Sequence, residues 1–470
     1  MYRTIFALVA VMGFSGTARP ADPVRLIFDT DIGNDVDDVL ALGMIHALQS
    51  RAAADLIAVT VTKDHELAGP FADAVNTFYG RPQIPVGVVR GGATRNEGKF
   101  LGMVRDGNKP GYPHTLKRSS DAPDAVALLR KVLAAQPDSS VVIVQVGFST
   151  NLARLLASSP DAESPLTGKE LAAKKVKFVS AMFGAYKPDG GASTHREYNV
   201  VEDLPAAKKF AADWPTPIVF SGFEVGSAVT YPAASIEWDF GYAKNHPVAE
   251  AYRRYNPPPH ERPCWDLTSV LYAVYPERGY FGLSGPGQVT VGDDGVTRFA
   301  PSDKGMHRFL TISREQAARC REAFTNLASQ PPTVFGTVAF DGMTLGHDEP
   351  AKGKPKVVTL SERDVSEKID GKAVKATTVE VTLEPGQAGL PHRHPGPVFG
   401  YVLEGEYEWA IDDQPAKKLK VGDTFYEPAM CLHRVSKNPS DKNRTRVLAV
   451  LLLPRDAKEL SIPEKPTKKE

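Results

Sequence analysis

Asp29-Thr30-Asp31-Ile32-Gly33-Asn34-Asp35-Val36-Asp37-Asp38 (DTDIGNDVDD) places five carboxylates within ten residues. Before it runs Val24-Arg25-Leu26-Ile27-Phe28, and after it the apolar pattern Val39–Leu48, VLALGMIHAL. A short apolar run ended by acids and followed by helical periodicity reads as a strand, a turn and a helix. One or two of the acids are explained as helix-capping groups, which accept from free amides and suit the positive end of the macrodipole. Five are not. Like charges this close repel, so the segment calls for a cation or for protons. An EF-hand would need Asp at alternating positions, a central Gly and a terminal Glu, whereas Val39-Leu40-Ala41 continues as helix. What remains is a pocket for a hard cation between a strand end and a helix start, completed from elsewhere in the chain.

The same alternation recurs downstream. Leu56–Val61 reads as a strand, Pro70–Tyr79 as a helix, and Val141–Val146 as a strand leading into Thr150-Asn151-Leu152-Ala153. Val176–Ser180 and Pro217–Ser221 are further strands. The pattern predicts an α/β domain with an open, mostly parallel sheet flanked by helices. Ligands in such sheets sit at the carboxyl ends of strands, where the acidic cluster lies. The character changes at Gln330-Pro331-Pro332-Thr333. From Lys354 to Leu453 the chain is rich in Val, Thr, Tyr and Phe, with turns at Glu384-Pro385-Gly386, Glu404-Gly405 and Val421-Gly422-Asp423. Short strands between Gly-containing turns predict an all-β barrel or sandwich. The expected organisation is a first domain over 22–332, a linker over 333–353, a second domain over 354–454 and a charged, Pro-broken, disordered tail over 455–470.

At 470 residues the chain exceeds the roughly 250–300 at which single cores stop growing, which also favours two domains. Lys+Arg and Asp+Glu both number 56, so there is no basic field for nucleic acid or an anionic membrane. The expected partner is a small molecule. Met1-Tyr2-Arg3, the apolar run Ile5–Phe14 and the small residues Ser15-Gly16-Thr17-Ala18 make a secretory signal over 1–18. The run is shorter than the roughly 20 residues that span a bilayer. Cys264, Cys320 and Cys431 are widely spaced and odd in number, against a disulfide framework. A secreted or periplasmic bacterial protein is expected.

Five landmarks, in order, resemble the inosine-uridine-preferring nucleoside hydrolases over roughly residues 24–325. DTDIG followed by Asp37-Asp38 and VLAL is similar to that family's opening Asp-x-Asp-x-Gly-x-Asp-Asp, with two extra residues after Gly33. Val146-Gly147-Phe148-Ser149-Thr150-Asn151-Leu152-Ala153 resembles its Gly-Pro-Leu-Thr-Asn-x-Ala turn, and Met182-Phe183-Gly184-Ala185 its Met-Gly-Gly stretch. Glu197-Tyr198-Asn199 with Asp203-Leu204-Pro205-Ala206-Ala207 is similar to Glu-Phe-Asn and the following Asp-Pro-x-Ala-Ala. Trp265-Asp266-Leu267-Thr268-Ser269-Val270 stands in the place of His-Asp-Pro-x-Ala.

The resemblance implies Ca²⁺ held by Asp31, Asp38, Asp266 and the backbone carbonyl of Thr150. Asp31 would also be the general base in hydrolysis of the N-glycosidic bond of a ribonucleoside or related N-riboside, releasing base and pentose. Asp37, Glu197 and Asn199 would hold the ribose hydroxyls; Asp35, within the insertion, competes with Asp37 for that role, and Asp29 would order the loop. Self-association is implied as well. Three departures qualify this. Trp265 replaces the family's leaving-group histidine, and can stack on a base, at about 1–3 kcal/mol per stack, or pack in the core. Lys63-Asp64 replaces an Asn after the second strand, and Gly191 falls where a ribose-binding Asn is expected. His195 is either a substitute acid or a surface-loop histidine, and His46, on the apolar helix, is a packing residue. Because of Trp265, a nucleoside- or sugar-binding protein without catalysis stays open.

The second domain resembles the cupins over roughly 354–454. Pro391-His392-Arg393-His394-Pro395-Gly396-Pro397 and Val402-Leu403-Glu404-Gly405-Glu406 are followed by Gly422-Asp423 and Pro428-Ala429-Met430-Cys431-Leu432-His433. His392 and His394 share one face of a strand, and His433 would add a third imidazole, a set that suits Zn, Fe, Cu or Ni. The Glu usual four residues after the second His is Val398 here, and the Gly of the second motif is Met430. A three-histidine transition-metal site and a metal-free barrel both stay open, as does a metal-dependent oxygenase or isomerase seated in this domain.

Overall fold

Alternate side chains of β1 (Val24–Thr30) point to opposite faces, and both faces are covered: Leu26 and Phe28 belong to one core cluster and Ile27 to another. The computed structural model describes residues 22–105, 107, 111–187, 193–332, 355–369 and 371–464, in two compact units that divide between residues 339 and 340. The signal (1–18), the linker (333–353) and Gly191 lie outside the described residues.

In the first unit β1 is followed by β2 (Ala54–Val61), β3 (Val86–Val88), β4 (Val141–Gln145), β5 (Val176–Met182) and β6 (Ile218–Ser221). Then come β7 (Gly282–Leu283), β8 (Gly287–Val291), β9 (Thr297–Pro301) and β10 (His307–Thr311). The order is β3-β2-β1-β4-β5-β6-β10-β8-β9, with β7 on β10. Every pairing from β3 across to β10 is parallel, and β7, β8 and β9 add an antiparallel edge. The predicted mostly parallel sheet is present. Chain order runs outward from β1 in one direction and from β4 in the other, so a topological switch point opens between their carboxyl ends. The helix Asp37–Ser50 is buried along nearly its whole length, which is why VLALGMIHAL is apolar on all sides rather than on one stripe. His46 there is buried, stacks on Tyr79 and meets Asn76 Oδ1 at 2.9 Å; burial holds its pKa down at about 3. It packs, as expected. Among the described residues no helix is long and apolar enough to cross a membrane.

The second unit contains β11 (Lys356–Ile369), β12 (Lys372–Leu383), β13 (His392–Arg393), β14 (Val398–Glu404) and β15 (Glu406–Ile411). It continues with β16 (Lys417–Lys420), β17 (Thr424–Glu427), β18 (Leu432–Lys437), β19 (Thr445–Pro454) and β20 (Ile462–Pro463). They form two antiparallel five-stranded sheets, β11-β12-β19-β14-β17 and β16-β15-β18-β13-β20. Leu383, Val402, Tyr407, Trp409, Phe425 and Val447 pack inside, an arrangement consistent with a cupin barrel. The disorder expected from residue 455 is corrected over 455–464. There β20 pairs with His392 and Arg393, and Glu464 ion-pairs with Arg393 at 3.0 Å. The stretch is too polar for a core of its own, but an edge strand needs only the free backbone groups of its neighbour.

Candidate active site

Three strand ends and two helix starts converge at the switch point. Asp29 is the penultimate residue of β1, and its Oδ1 accepts from Thr60 Oγ1 on β2 (2.6 Å) and from Asn151 Nδ2 after β4 (2.8 Å). Gly147 lets the chain after β4 approach, since a Cβ there would lie 2.5 Å from the Asp31 amide nitrogen. The loop then turns at Gly33, whose φ of +114° disfavours any side chain and whose Cβ would strike Leu101 and Lys63. Asp37 and Asp38 open the helix Asp37–Ser50, and Asp266 is the second residue of the helix Trp265–Val274. The backbone N–H of Asp266 donates to Asp37 Oδ2 at 3.2 Å, and Thr30 Oγ1 donates to Asp38 Oδ1. One oxygen from each of Asp37, Asp38 and Asp266 lies within 4.8 Å of the others, and all three residues are buried.

Burial is the largest cause lifting the carboxyls of Asp37, Asp38 and Asp266 well above their ordinary range, and neighbouring acids add to it. Asp31 stands beside the trio, within electrostatic reach of Asp38 and Asp266. Its pKa is raised to about 6 by burial, against the hydrogen bond from Asn34 and the charge of Lys63. Without a cation such a group holds protons; with one, the charged forms are favoured. The donors are all oxygens, the chemistry of a hard divalent ion. Asp31, Asp38 and Asp266, expected as ligands, are thus neighbours. The structure puts Asp37, expected on the sugar side, into the tightest group with two of them.

Glu197 is a buried helix cap whose Oε1 accepts from the Asn199 amide (2.9 Å) and Oε2 from the Gly184 amide (3.1 Å). Burial raises its pKa to about 7, and Asp31 is close enough to contribute. Asn199 donates Nδ2 to Val146 O at 2.7 Å, which ties it to the end of β4. Thr150 begins the helix after β4 and is buried; its hydroxyl donates to Asp203 Oδ2 at 2.5 Å.

Two residues of the lengthened turn between Gly33 and Asp37 have separate partners. Asn34 donates to Asp31 Oδ2 at 2.7 Å and accepts from Lys63 Nζ, which also reaches Asn96 Oδ1 at 2.8 Å. Lys63 is entirely buried. Asp35 is gripped by Arg262, whose Nε lies 3.0 Å from Oδ1 and whose second nitrogen contacts Oδ2. Asp35 is therefore an ion-pair partner, and Asp37 stays in the cluster. Arg262 also lies 4.9 Å from the Trp265 ring centroid and 5.2 Å from that of Tyr255. Trp265 is stacked on Phe223 (5.6 Å, 24°), and its Nε1 donates to Phe223 O at 2.9 Å. Phe223 in turn carries His195 at 3.9 Å, so this half-buried histidine, on the loop before Glu197, extends the aromatic row. Lys63, Asn34, Arg262 and Phe223 had no assigned task from sequence. For Lys63 and Phe223 the signal was available: both follow the carboxyl ends of parallel strands.

Buried oxygen donors gathered at the switch point of a parallel sheet define an α/β enzyme with a cation-ready acidic pocket. Residues 26–360 match the inosine-uridine preferring nucleoside hydrolase family and residues 379–451 the cupin domain, so the chain belongs to that hydrolase family and carries a cupin domain after it. It is an enzyme acting on the N-glycosyl bonds of nucleosides, in a family that is typically metal-dependent. Among solved structures, a purine-preferring ribonucleoside hydrolase from Gardnerella vaginalis is similar, at 18% identity over 65% of this chain and 98% of that chain, with a TM-score of 0.50. An inosine-guanosine nucleoside hydrolase is similar to the same degree: 18% identity, 65% and 98% coverage, TM-score 0.50. At such identities the likeness is one of fold. No curated protein sequence matches the chain.

Proposed function

We propose that the chain is a calcium-dependent hydrolase of a ribonucleoside or related N-riboside, releasing base and pentose. The observation that carries this reading is the grouping of buried Asp37, Asp38 and Asp266 beside Asp31 and Glu197 at the β1–β4 switch point. Asp38, Asp266, Asp31 and the Thr150 carbonyl would hold the ion, which when bound lowers the pKa of a coordinated water. Asp31 takes the proton from the attacking water, with Asn34 holding its orientation. Asp37, Glu197 and Asn199 hold the ribose hydroxyls, and backbone amides fix the Glu197 carboxylate for that task. Trp265 has its N–H spent on Phe223 O and Ser227 Oγ, so it forms wall and donates no proton to the leaving base. His195, stacked on Phe223, is the imidazole assigned to that step.

The decisive experiment is reducing-sugar release across a nucleoside panel, with and without a calcium chelator. Release that survives chelation removes the calcium dependence. Tight nucleoside binding with no release would identify a binding protein instead. The signal over 1–18 supports export to the periplasm or medium, checked by the mass of the mature N-terminus. Self-association rests on the family resemblance alone and is read by sedimentation.

A further inference from the structure

The second unit holds a separate cluster. His392 donates Nδ1–H to Leu390 O at 2.7 Å, and His394 donates Nδ1–H to Leu460 O at 2.7 Å. A carbonyl only accepts, so the ring proton is on Nδ1, and each neutral imidazole turns its Nε2 lone pair inward. Those two Nε2 atoms stand 3.1 Å apart. Lone pairs at that distance repel unless a cation or a shared proton lies between them. His433, opposite on β18, closes the group: one nitrogen from each of the three rings lies within 4.8 Å of the others.

The position where the cupin pattern places its acid is Val398, buried and apolar. A carboxylate arrives from another strand. On β17, Phe425 and Glu427 point inward while Thr424 and Tyr426 point out. Glu427 is 1% exposed, 3.1 Å from His433 Nδ1 and 3.6 Å from His394 Nε2. Trp409 Nε1 donates to Glu427 Oε1 at 3.0 Å and so fixes the carboxylate. Glu427 Oε2 and His433 Nδ1 are buried and make no hydrogen bond among the described residues. Orphaned buried polar atoms are costly, and a bound cation would satisfy both.

We propose that Glu427 completes, with His392, His394 and His433, a site for one first-row divalent transition metal, the acid being supplied by β17 instead of the position four residues after His394. Three imidazoles and one carboxylate suit Fe, Mn, Co, Ni or Zn, in contrast to the all-oxygen cluster of the first unit. The Leu390 and Leu460 carbonyls and the Trp409 indole are the outer contacts that hold the ligands in register. Leu460 lies in the stretch 455–464, which gives that stretch a task.

The test uses full-length protein stripped with chelator and reloaded with Co²⁺ in excess Ca²⁺, which fills the all-oxygen pocket of the first unit, followed by elemental analysis and visible ligand-field absorption. One Co²⁺ per chain is expected. Glu427→Gln should weaken its affinity about 10–100-fold and shift the visible bands. No Co²⁺ uptake by the wild type would show that the histidine pair shares only a proton, and overturns the proposal. Unchanged affinity and spectrum in Glu427→Gln overturns the role of Glu427. If circular dichroism shows that this variant does not fold, X-ray absorption on the Co²⁺-loaded wild type decides: a shell of imidazoles plus one carboxylate supports the assignment, and a shell without carboxylate overturns it.

Discussion

Calcium should stabilise the first unit far more at pH 8 than at pH 5. Asp31 is fully buried, and its carboxyl rises from 3.8 to about 6 chiefly through desolvation. A folded-state value above the unfolded one favours the folded chain fully below the unfolded pKa, and that contribution is lost as pH rises through the folded value. The rise from 3.8 to about 6 means that ionising Asp31 costs the ion-free fold about 3 kcal/mol above pH 6. Asp37, Asp38 and Asp266 shift in the same direction. A divalent ion binds the ionised cluster and offsets this cost, but at pH 5 it must first displace protons. The assay is scanning calorimetry of the full chain between pH 5 and 8, with calcium and chelator side by side. The calcium-induced rise in the first transition should be larger at pH 8 by on the order of 6 °C for 3 kcal/mol. Titration calorimetry near pH 6 in buffers of different ionisation enthalpy should detect at least one proton released per ion. An increment equal at both pH values, or no proton release, would refute the reasoning that the cluster is a buried, charge-deficient cation site.

Asp31→Ala should lower kcat by about 10²–10⁴ with circular dichroism and nucleoside affinity little changed; near wild-type turnover removes it as the base. His195→Ala should slow natural nucleosides and spare p-nitrophenyl riboside, whose leaving group needs no proton. Equal loss on both substrates would mark His195 as wall only. Lys63→Met leaves the Asn34 and Asn96 carbonyl oxygens without their buried donor, so the melting free energy should fall by about 2–3 kcal/mol. The same change removes a positive charge beside Asp31 and Asp38 and should tighten calcium in a titration, a divergence that a merely structural lysine would not produce.

Local order was legible from the sequence because it is a local property. Strand-then-helix periodicity around Asp29–Asp38, the repeats of that pattern to Ser221 and the change of character after residue 332 are all written within a few residues of one another. They correspond to β1, the helix Asp37–Ser50, the parallel sheet and the barrel. The family landmarks likewise marked Asp31, Asp38, Asp266, Glu197 and Asn199 as a set. Sequence could count five acids in ten residues, yet it could not sort them. Asp35 meets Arg262 across 227 residues, Asn34 meets Lys63 across 29, and the Asp266 amide finds Asp37 across 229. Glu427 escaped notice for the same reason: it reaches the histidines by strand alternation and by the way β17 and β18 face one another, not by its spacing from them. Periodicity decides which face of an element a side chain occupies, and the chain states it directly. Which faces meet is decided by strand order, register and packing, and those exist only once the whole chain has closed on itself.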